Sequence, residues 1–202
     1  MLKELFQQVL RTVGGSVAGQ SLSSLAQKAG AGVKAHAGAR KVTFPSLPTN
    51  LEQLKALPEA SLTDPYAVAA LSVLALTPFA TNREESIAML NFLKGPDPLN
   101  PAEIQQISDR FMDGKFYKVN SFFAGATPQN NYTPSKPYTV EVSVTPYSFE
   151  NQGWAVMYLH SGGADNPRPV KLRQKPSTGQ WFLVEIQYLG DIRIPVAEDK
   201  WA

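Results

Sequence analysis

A run of alternating basic residues is the feature of this sequence that most suggests chemistry. It lies in the string RPVKLRQK, residues 168–175. Alternate side chains of a β-strand point to opposite faces, so a strand here would place three cations on one face: Lys171, Arg173 and Lys175. Like charges on one sheet face repel each other unless acidic neighbours or a bound anion offset them. The run is therefore a candidate site for an anion or an acidic partner, and Arg168 lies just before it. A solvated face beside Glu141 and Glu185 explains the run equally well and is the interpretation we favour from the sequence.

A long loop, AGATPQNNYTPSKP at residues 124–137, is the second candidate site. Loops of this length without regular structure are often functional. Its central residues are either ligand contacts or caps of neighbouring strands: Asn130, Asn131 and Tyr132. An enzyme of unfamiliar type, or a small-molecule binder, would use this loop together with the basic strand. That hypothesis predicts a concave pocket in which four side chains converge: Asn130, Tyr132, Lys171 and Arg173.

Familiar catalytic motifs do not occur in the sequence. The string GGSVAGQS, residues 14–21, lacks the lysine and the preceding strand of a phosphate-binding Walker loop. No G-x-S-x-G string is present, and on a strand Ser161 would point away from its neighbour His160. Glu141 and Glu185 could act as an acid–base pair, but surface pairing with nearby lysines explains them more simply. We therefore predict no catalytic residue.

The composition excludes several kinds of metal and redox centre. The 202 residues include no cysteine and two histidines. Disulfides, cysteine nucleophiles and thiolate metal sites are thereby excluded, and a four-ligand zinc site lacks its ligands. No metal and no cofactor are predicted.

Charge is distributed unevenly along the chain. Residues 1–42 carry a net charge of +5, whereas the remaining 160 residues carry −3. This shift predicts two parts: a basic helical leader with a flexible linker, residues 1–41, and a body, residues 42–202. A body with net negative charge is not expected to bind nucleic acid.

The leader contains an amphipathic pattern over residues 2–13. Its apolar residues recur at helical spacing, which predicts one apolar stripe. Such a helix can bind a protein partner, lie weakly on an anionic membrane or pack on its own domain. The pattern is too interrupted for a secretory signal, and the most apolar stretch, residues 66–80, is shorter than the roughly 20 residues of a membrane span. We expect a cytoplasmic protein without a transmembrane segment.

The elements that would position these residues follow from hydrophobic periodicity. Four segments with helical spacing begin after residues that can cap a helix, and the second is apolar nearly all round: LEQLKAL, YAVAALSVLALTPFA, REESIAMLNFLKG and PAEIQQISDRFMDG. Strands are predicted in six later strings: FYKVNSFF, YTVEVSVTPY, GWAVMYLHSGG, RPVKLRQK, QWFLVEIQYL and DIRIPV. A hairpin at PSTG, with Gly179 free to take a positive φ, would join two of them. This order predicts an α+β fold of four N-terminal helices packed on an antiparallel sheet of about five strands.

Several long strings carry a resemblance to a known family. They include LPTNLEQLKALPEASLTDPYAVAALSVLAL, REESIAMLNFLKGPDPL, FFAGATPQNNYTPSKPYTV and PRPVKLRQKPSTGQWFLVE. These strings resemble a family of uncharacterised bacterial domains found mainly in Gram-positive anaerobes. The similarity covers about residues 43–202, including the terminal tryptophan–alanine. Because the family has no assigned activity, the resemblance implies no catalytic residue.

The leading functional hypothesis is a non-enzymatic binding or protein-interaction module. It depends on the missing catalytic constellations and on the change of charge near residue 42. In this hypothesis, residues 1–41 act as a tether or as the helix that binds an unknown protein partner. The alternative is the enzyme or small-molecule binder that uses residues 124–137 and the basic strand.

Overall fold

The structure is a computed structural model that describes residues 38–201. A five-stranded sheet forms one layer, with its strands in chain order. The strands are β1 (Gly38–Phe44), β2 (Tyr138–Val144), β3 (Trp154–Leu159), β4 (Arg168–Gln174) and β5 (Trp181–Ile186). Strands β2 to β5 form an antiparallel meander. The predicted turn between β4 and β5 is present, and Gly179 has a φ of 71° there.

Five α-helices lie between β1 and β2 in the described part of the chain: α1 (Leu51–Lys55), α2 (Pro65–Leu76), α3 (Arg83–Lys94), α4 (Pro101–Arg110) and α5 (Tyr117–Asn120). Side chains of Asn50, Asp64, Asn82 and Asn100 accept backbone N–H groups at the first four helix starts. These bonds satisfy donors that a helix leaves unpaired at its N-terminus. The four helices predicted from periodicity and caps are confirmed.

Helix α2 forms the centre of the core. Every residue from Tyr66 to Leu76 is buried, and the helix packs against β2, β3, β4 and β5. Strand residues of one parity point toward it, among them Val142, Met157 and Leu172, which have no exposed surface. A helix that is apolar on all sides has no polar face to expose, which explains its central position. The opposite parity of each strand forms the other face of the sheet, here called the outer face.

A buried ion pair ties α3 and α4 to the edge of β5. Only 3% of the Lys94 side chain is exposed, and its ammonium donates to the carboxylate of Glu103 and to the carbonyl of Val184, both at 3.0 Å. Glu103 also accepts the N–H of Asn100 in a capping box. Burial alone would raise the pKa of Glu103, but this N–H and the Lys94 ammonium outweigh burial and hold the pKa below its ordinary value.

The predicted order of elements is wrong in one respect, because a strand precedes the helices. β1 begins at Gly38, so position 42, where the body was predicted to start, lies inside a strand. Val42 and Phe44 alternate into the core, and the hydroxyl of Thr43 lies 3.1 Å from that of Thr139 on β2. Pairing with a distant strand, rather than local propensity, makes this segment extended.

Two predicted strands are absent. In FYKVNSFF the chain is helical at α5, because burial of Val119 with Phe122 and Phe123 follows a spacing of three and four residues. DIRIPV does not pair as a strand. Asp191 has a φ of 49°, which is not an extended conformation, and the N–H of Arg193 donates to the carbonyl of Gly163.

The amphipathic pattern at residues 2–13, and most of the predicted leader with it, lies outside the described residues. Within residues 38–201, no helix combines the length and the apolar character that a membrane span requires.

Candidate binding site on the outer sheet face

Trp154 and two cations dominate the outer face. Trp154 is the first residue of β3 and lies opposite Arg173 in the register with β4, while Lys171 lies opposite Val156. The ammonium of Lys171 is 5.0 Å from the Trp154 ring centroid, and the guanidinium carbon of Arg173 is 5.1 Å from it. Both cations therefore contact the electron-rich indole. The predicted placement of Lys171 and Arg173 on one face of a strand is confirmed, with Val170 and Leu172 buried on the other.

Two clefts meet at Trp154. One has a volume of about 520 Å³ and lies between the β4–β5 hairpin and the turn after α3; its lining includes Arg173, Lys175, Phe182, Val184, Pro96 and Asp97. The other, of about 450 Å³, is lined by Tyr147, Ser148, Asn151, Val156 and Lys171. Trp154 and Gln152 line both clefts. Each volume lies within the range of about 300–1,000 Å³ typical of ligand sites.

The larger cleft is shaped by a close approach of backbone to ring. Gly95 ends α3 with a φ of 61°, and a Cβ at this position would overlap the ring of Phe182. Glycine alone fits there, because the position needs both a positive φ and the space of a missing side chain. The Lys94–Glu103 pair fixes the preceding residue, so that the turn after α3 is held against β5.

The cations that line the two clefts differ in whether they have a carboxylate partner. Lys171 has a carboxylate partner, since its ammonium lies 3.5 Å from Glu185. Within residues 38–201, no carboxylate oxygen lies within 4.0 Å of the charged nitrogens of Arg173 or Lys175. Both residues are exposed. The larger cleft thus presents two cations that have no carboxylate partner among the described residues, beside an aromatic wall.

The structure does not bring the loop at residues 124–137 to this surface. The Asn130 side chain is used within the loop: its oxygen accepts the N–H groups of Thr127 and Thr133, and its nitrogen donates to the carbonyls of Gly125 and Thr133. Neither cleft beside Trp154 is lined by a residue of the loop. Asn131 is exposed and has a φ of 52°. Asn130 therefore organises the turn in which Asn131 lies.

Tyr132 is a core residue. It has no exposed surface, its ring stacks on Tyr117 at 5.4 Å, and its hydroxyl donates to the carbonyl of Arg193. Burial raises the pKa of the Tyr132 hydroxyl to about 12. The side chain therefore anchors the loop to the C-terminal segment. The pocket predicted for Asn130, Tyr132, Lys171 and Arg173 is not formed.

Arg168 also lies apart from the other two cations. It has the parity of Val170 and Leu172, and its terminal nitrogen donates to the carbonyl of Asp191 at 2.7 Å. Its Nε is buried without a hydrogen-bond partner among the described residues. The parity of the strand separates Arg168 from the outer face, although it is only a few residues from Lys171 in sequence.

Three further polar residues lie together on the outer face: a serine, a histidine and a glutamate. The sequence alone does not predict that they are neighbours. His160 Nε2 is 2.8 Å from the hydroxyl of Ser143, and Nδ1 is 3.9 Å from the carboxylate of Glu141. This order matches that of nucleophile, base and acid in serine hydrolases. Ser143, however, lies within strand β2 and pairs with Tyr158, instead of occupying a sharp turn. Glu141 and Glu185 lie on β2 and β5, which two strands separate, so they do not form an acid–base pair.

Clusters suited to a metal ion are not found either: no three His, Asp or Glu side chains of residues 38–201 are grouped around a common point.

The helical layer and the meander define the class of this chain, a two-layer α+β domain whose candidate site is an open sheet face. Residues 46–196 match the model of the family described as domain of unknown function DUF6935, and the chain belongs to that family. The resemblance to an uncharacterised family is thereby confirmed. No curated protein and no solved structure matches the chain.

Proposed function

We propose that this domain is a non-enzymatic binding module that takes an anionic partner on its outer sheet face. The supporting observation is the pair of exposed cations, Arg173 and Lys175, that line a cleft beside Trp154 without a carboxylate partner in the described chain. Cations that lack counter-ions gain most when an anion binds, particularly where aromatic walls reduce their solvation. Trp and Arg are also the residues most often found at the energetic centre of protein interfaces.

The proposal also covers residues 1–41 and the cellular location and origin of the protein. Residues 1–41 would supply the tether or partner helix, as their amphipathic pattern and net positive charge suggest. We also propose a cytoplasmic location and a bacterial origin among Gram-positive anaerobes. These parts do not depend on the site at Trp154.

The test is a titration of the full chain with fluorescent polyanions. The probes are a glutamate-rich peptide, a heparin-derived oligosaccharide and a single-stranded oligonucleotide, each followed by fluorescence anisotropy. We expect at least one probe to bind, to bind more weakly as salt increases, and to be weakened by Trp154→Ala and Arg173→Ala.

A matched control is available in Lys55→Ala. Lys55 also lies over an aromatic ring, that of Phe92 at 5.9 Å, but it pairs with Glu52 on the helical layer. This substitution removes one positive charge without touching the clefts, so binding should be unchanged. If Lys55→Ala weakens every probe as much as Arg173→Ala does, attraction is a property of net charge and the proposed site is wrong.

A further inference from the structure

We infer that the partner is an extended acidic polypeptide segment that also carries apolar side chains, an inference that rests on the proposed binding function. The extended shape follows from the two clefts that share Trp154 and Gln152. Neighbouring strands lie about 4.8 Å apart, so a chain that crosses from β3 to β5 covers roughly 10 Å, or about three extended residues. An extended segment that fills both clefts therefore contains at least about three residues.

The lining calls for both carboxylates and apolar groups. Arg173 and Lys175 face the same cleft as Phe182, Val184 and Pro96. An Arg guanidinium matches a carboxylate in a two-pronged geometry, and the apolar wall gains from a buried aliphatic or aromatic side chain. A polypeptide combines these two groups at spacings of a few ångströms, whereas a glycan or a bare polyanion lacks the apolar side chains.

Two other polyanions fit less well. Sugars bind tryptophan by stacking on its ring, but at Trp154 two cations already lie within about 5 Å of the ring centroid. Nucleic acids need a strongly basic surface, whereas residues 43–202 carry a net charge of −3 and the clefts include Asp97 and neighbour Glu185. A polypeptide with a few carboxylates tolerates these acidic neighbours, since it places its charges singly.

The experiment compares two labelled peptides with the oligosaccharide and the oligonucleotide, on the full chain. One peptide is glutamate-rich with a central phenylalanine, and the other has alanine in place of that phenylalanine. We expect the phenylalanine peptide to bind most tightly of the four probes. Arg173→Glu should weaken it by about tenfold or more, because a charge-assisted hydrogen bond is replaced by repulsion. Lys55→Glu, with the same change of charge, should leave it nearly unchanged.

Arg173 is exposed, so its substitution does not endanger folding, and circular dichroism of each variant verifies this. Arg173→Lys adds a finer test: it keeps the charge but loses the two-pronged geometry, and we expect an intermediate affinity. Tighter binding of the oligosaccharide or oligonucleotide, with the same dependence on Trp154 and Arg173, would refute the polypeptide partner and leave the binding module intact. If no probe binds in a way that depends on Trp154 and Arg173, both proposals are refuted.

Discussion

Removing the charge of Glu103 should destabilise this domain more than removing the lysine that it pairs with. The Lys94 side chain is 3% exposed, so its ammonium depends on Glu103 and on the Val184 carbonyl instead of on water. Glu103→Gln keeps an oxygen for the N–H of Asn100 but leaves Lys94 as a buried charge without a counter-ion. Lys94→Met removes that charge, and the remaining carboxylate still reaches solvent, since the Glu103 side chain is 33% exposed.

The magnitudes follow from this asymmetry. Breaking a fully buried ion pair from one side costs about 3–5 kcal/mol, and partial exposure of Glu103 reduces this to about 2–3 kcal/mol for Glu103→Gln. Lys94→Met leaves the Val184 carbonyl without a donor and should cost about 1 kcal/mol. In the Lys94→Met background, Glu103→Gln should cost less than about 0.5 kcal/mol, because the stranded charge is gone.

Urea denaturation of the four proteins measures this cycle. With a typical m-value of about 2 kcal/mol/M, the midpoint should fall by about 1–1.5 M for Glu103→Gln and by about 0.5 M for Lys94→Met. If Lys94→Met is the more damaging change, or if the two effects simply add, the lysine acts through packing and the reasoning is wrong.

Four other outcomes are expected. In acid, the free energy of unfolding should fall less steeply with pH in Glu103→Gln than in the natural chain. The lowered pKa of Glu103 contributes stability that is complete above the ordinary value of 4.5 and is lost as pH falls through the pKa of the folded state. Identical acid-unfolding profiles of the two proteins would contradict the pairing with Lys94. Asn130→Ala should lower the free energy of unfolding by about 1–2 kcal/mol in urea titrations, because its loop loses four hydrogen bonds that water replaces only in part; an unchanged midpoint would show that the loop holds its shape without them. Gly163→Ala should cost about 1–3 kcal/mol on thermal unfolding, since a Cβ there meets the Tyr132 hydroxyl and approaches Ile192 to 2.7 Å. Gly190→Ala, which meets no atom within 4 Å, is the matched control and should melt like the natural chain.

The capping residues and the hydrophobic periodicity of the sequence were sufficient to predict the first four helices and β2. Each of the first four helices begins at a capping side chain, and in β2 the alternation of Val140 and Val142 with Glu141 matches their burial. Local signals failed at β1 and at α5. β1 is extended because it pairs with β2, a strand that is distant in the sequence. At α5, the aromatic residues favoured a strand, although Val119 and Phe122 are spaced as in a helix.

The part of the candidate site that lies within one strand was predictable, whereas contacts between strands were not. Strand parity alone places Lys171 and Arg173 together, because residues two apart share a face. The contact of both with Trp154 depends on the register between β3 and β4, and the contact of His160 with Ser143 depends on the register between β2 and β3. A single sequence does not specify strand registers, so these partners could not be derived from it.

The most direct test of the proposed site is the tryptophan indole region of a ¹H–¹⁵N correlation spectrum, recorded as the glutamate-rich phenylalanine peptide is added. The chain has three tryptophans, and two serve as internal controls: Trp181 is 9% exposed in the core and Trp201 is 95% exposed near the C-terminus. We predict that the Trp154 indole resonance shifts in a saturable way while the Trp181 and Trp201 resonances stay in place. A saturable shift of Trp201 with Trp154 unmoved, or no saturable shift at all, would contradict binding at the outer sheet face.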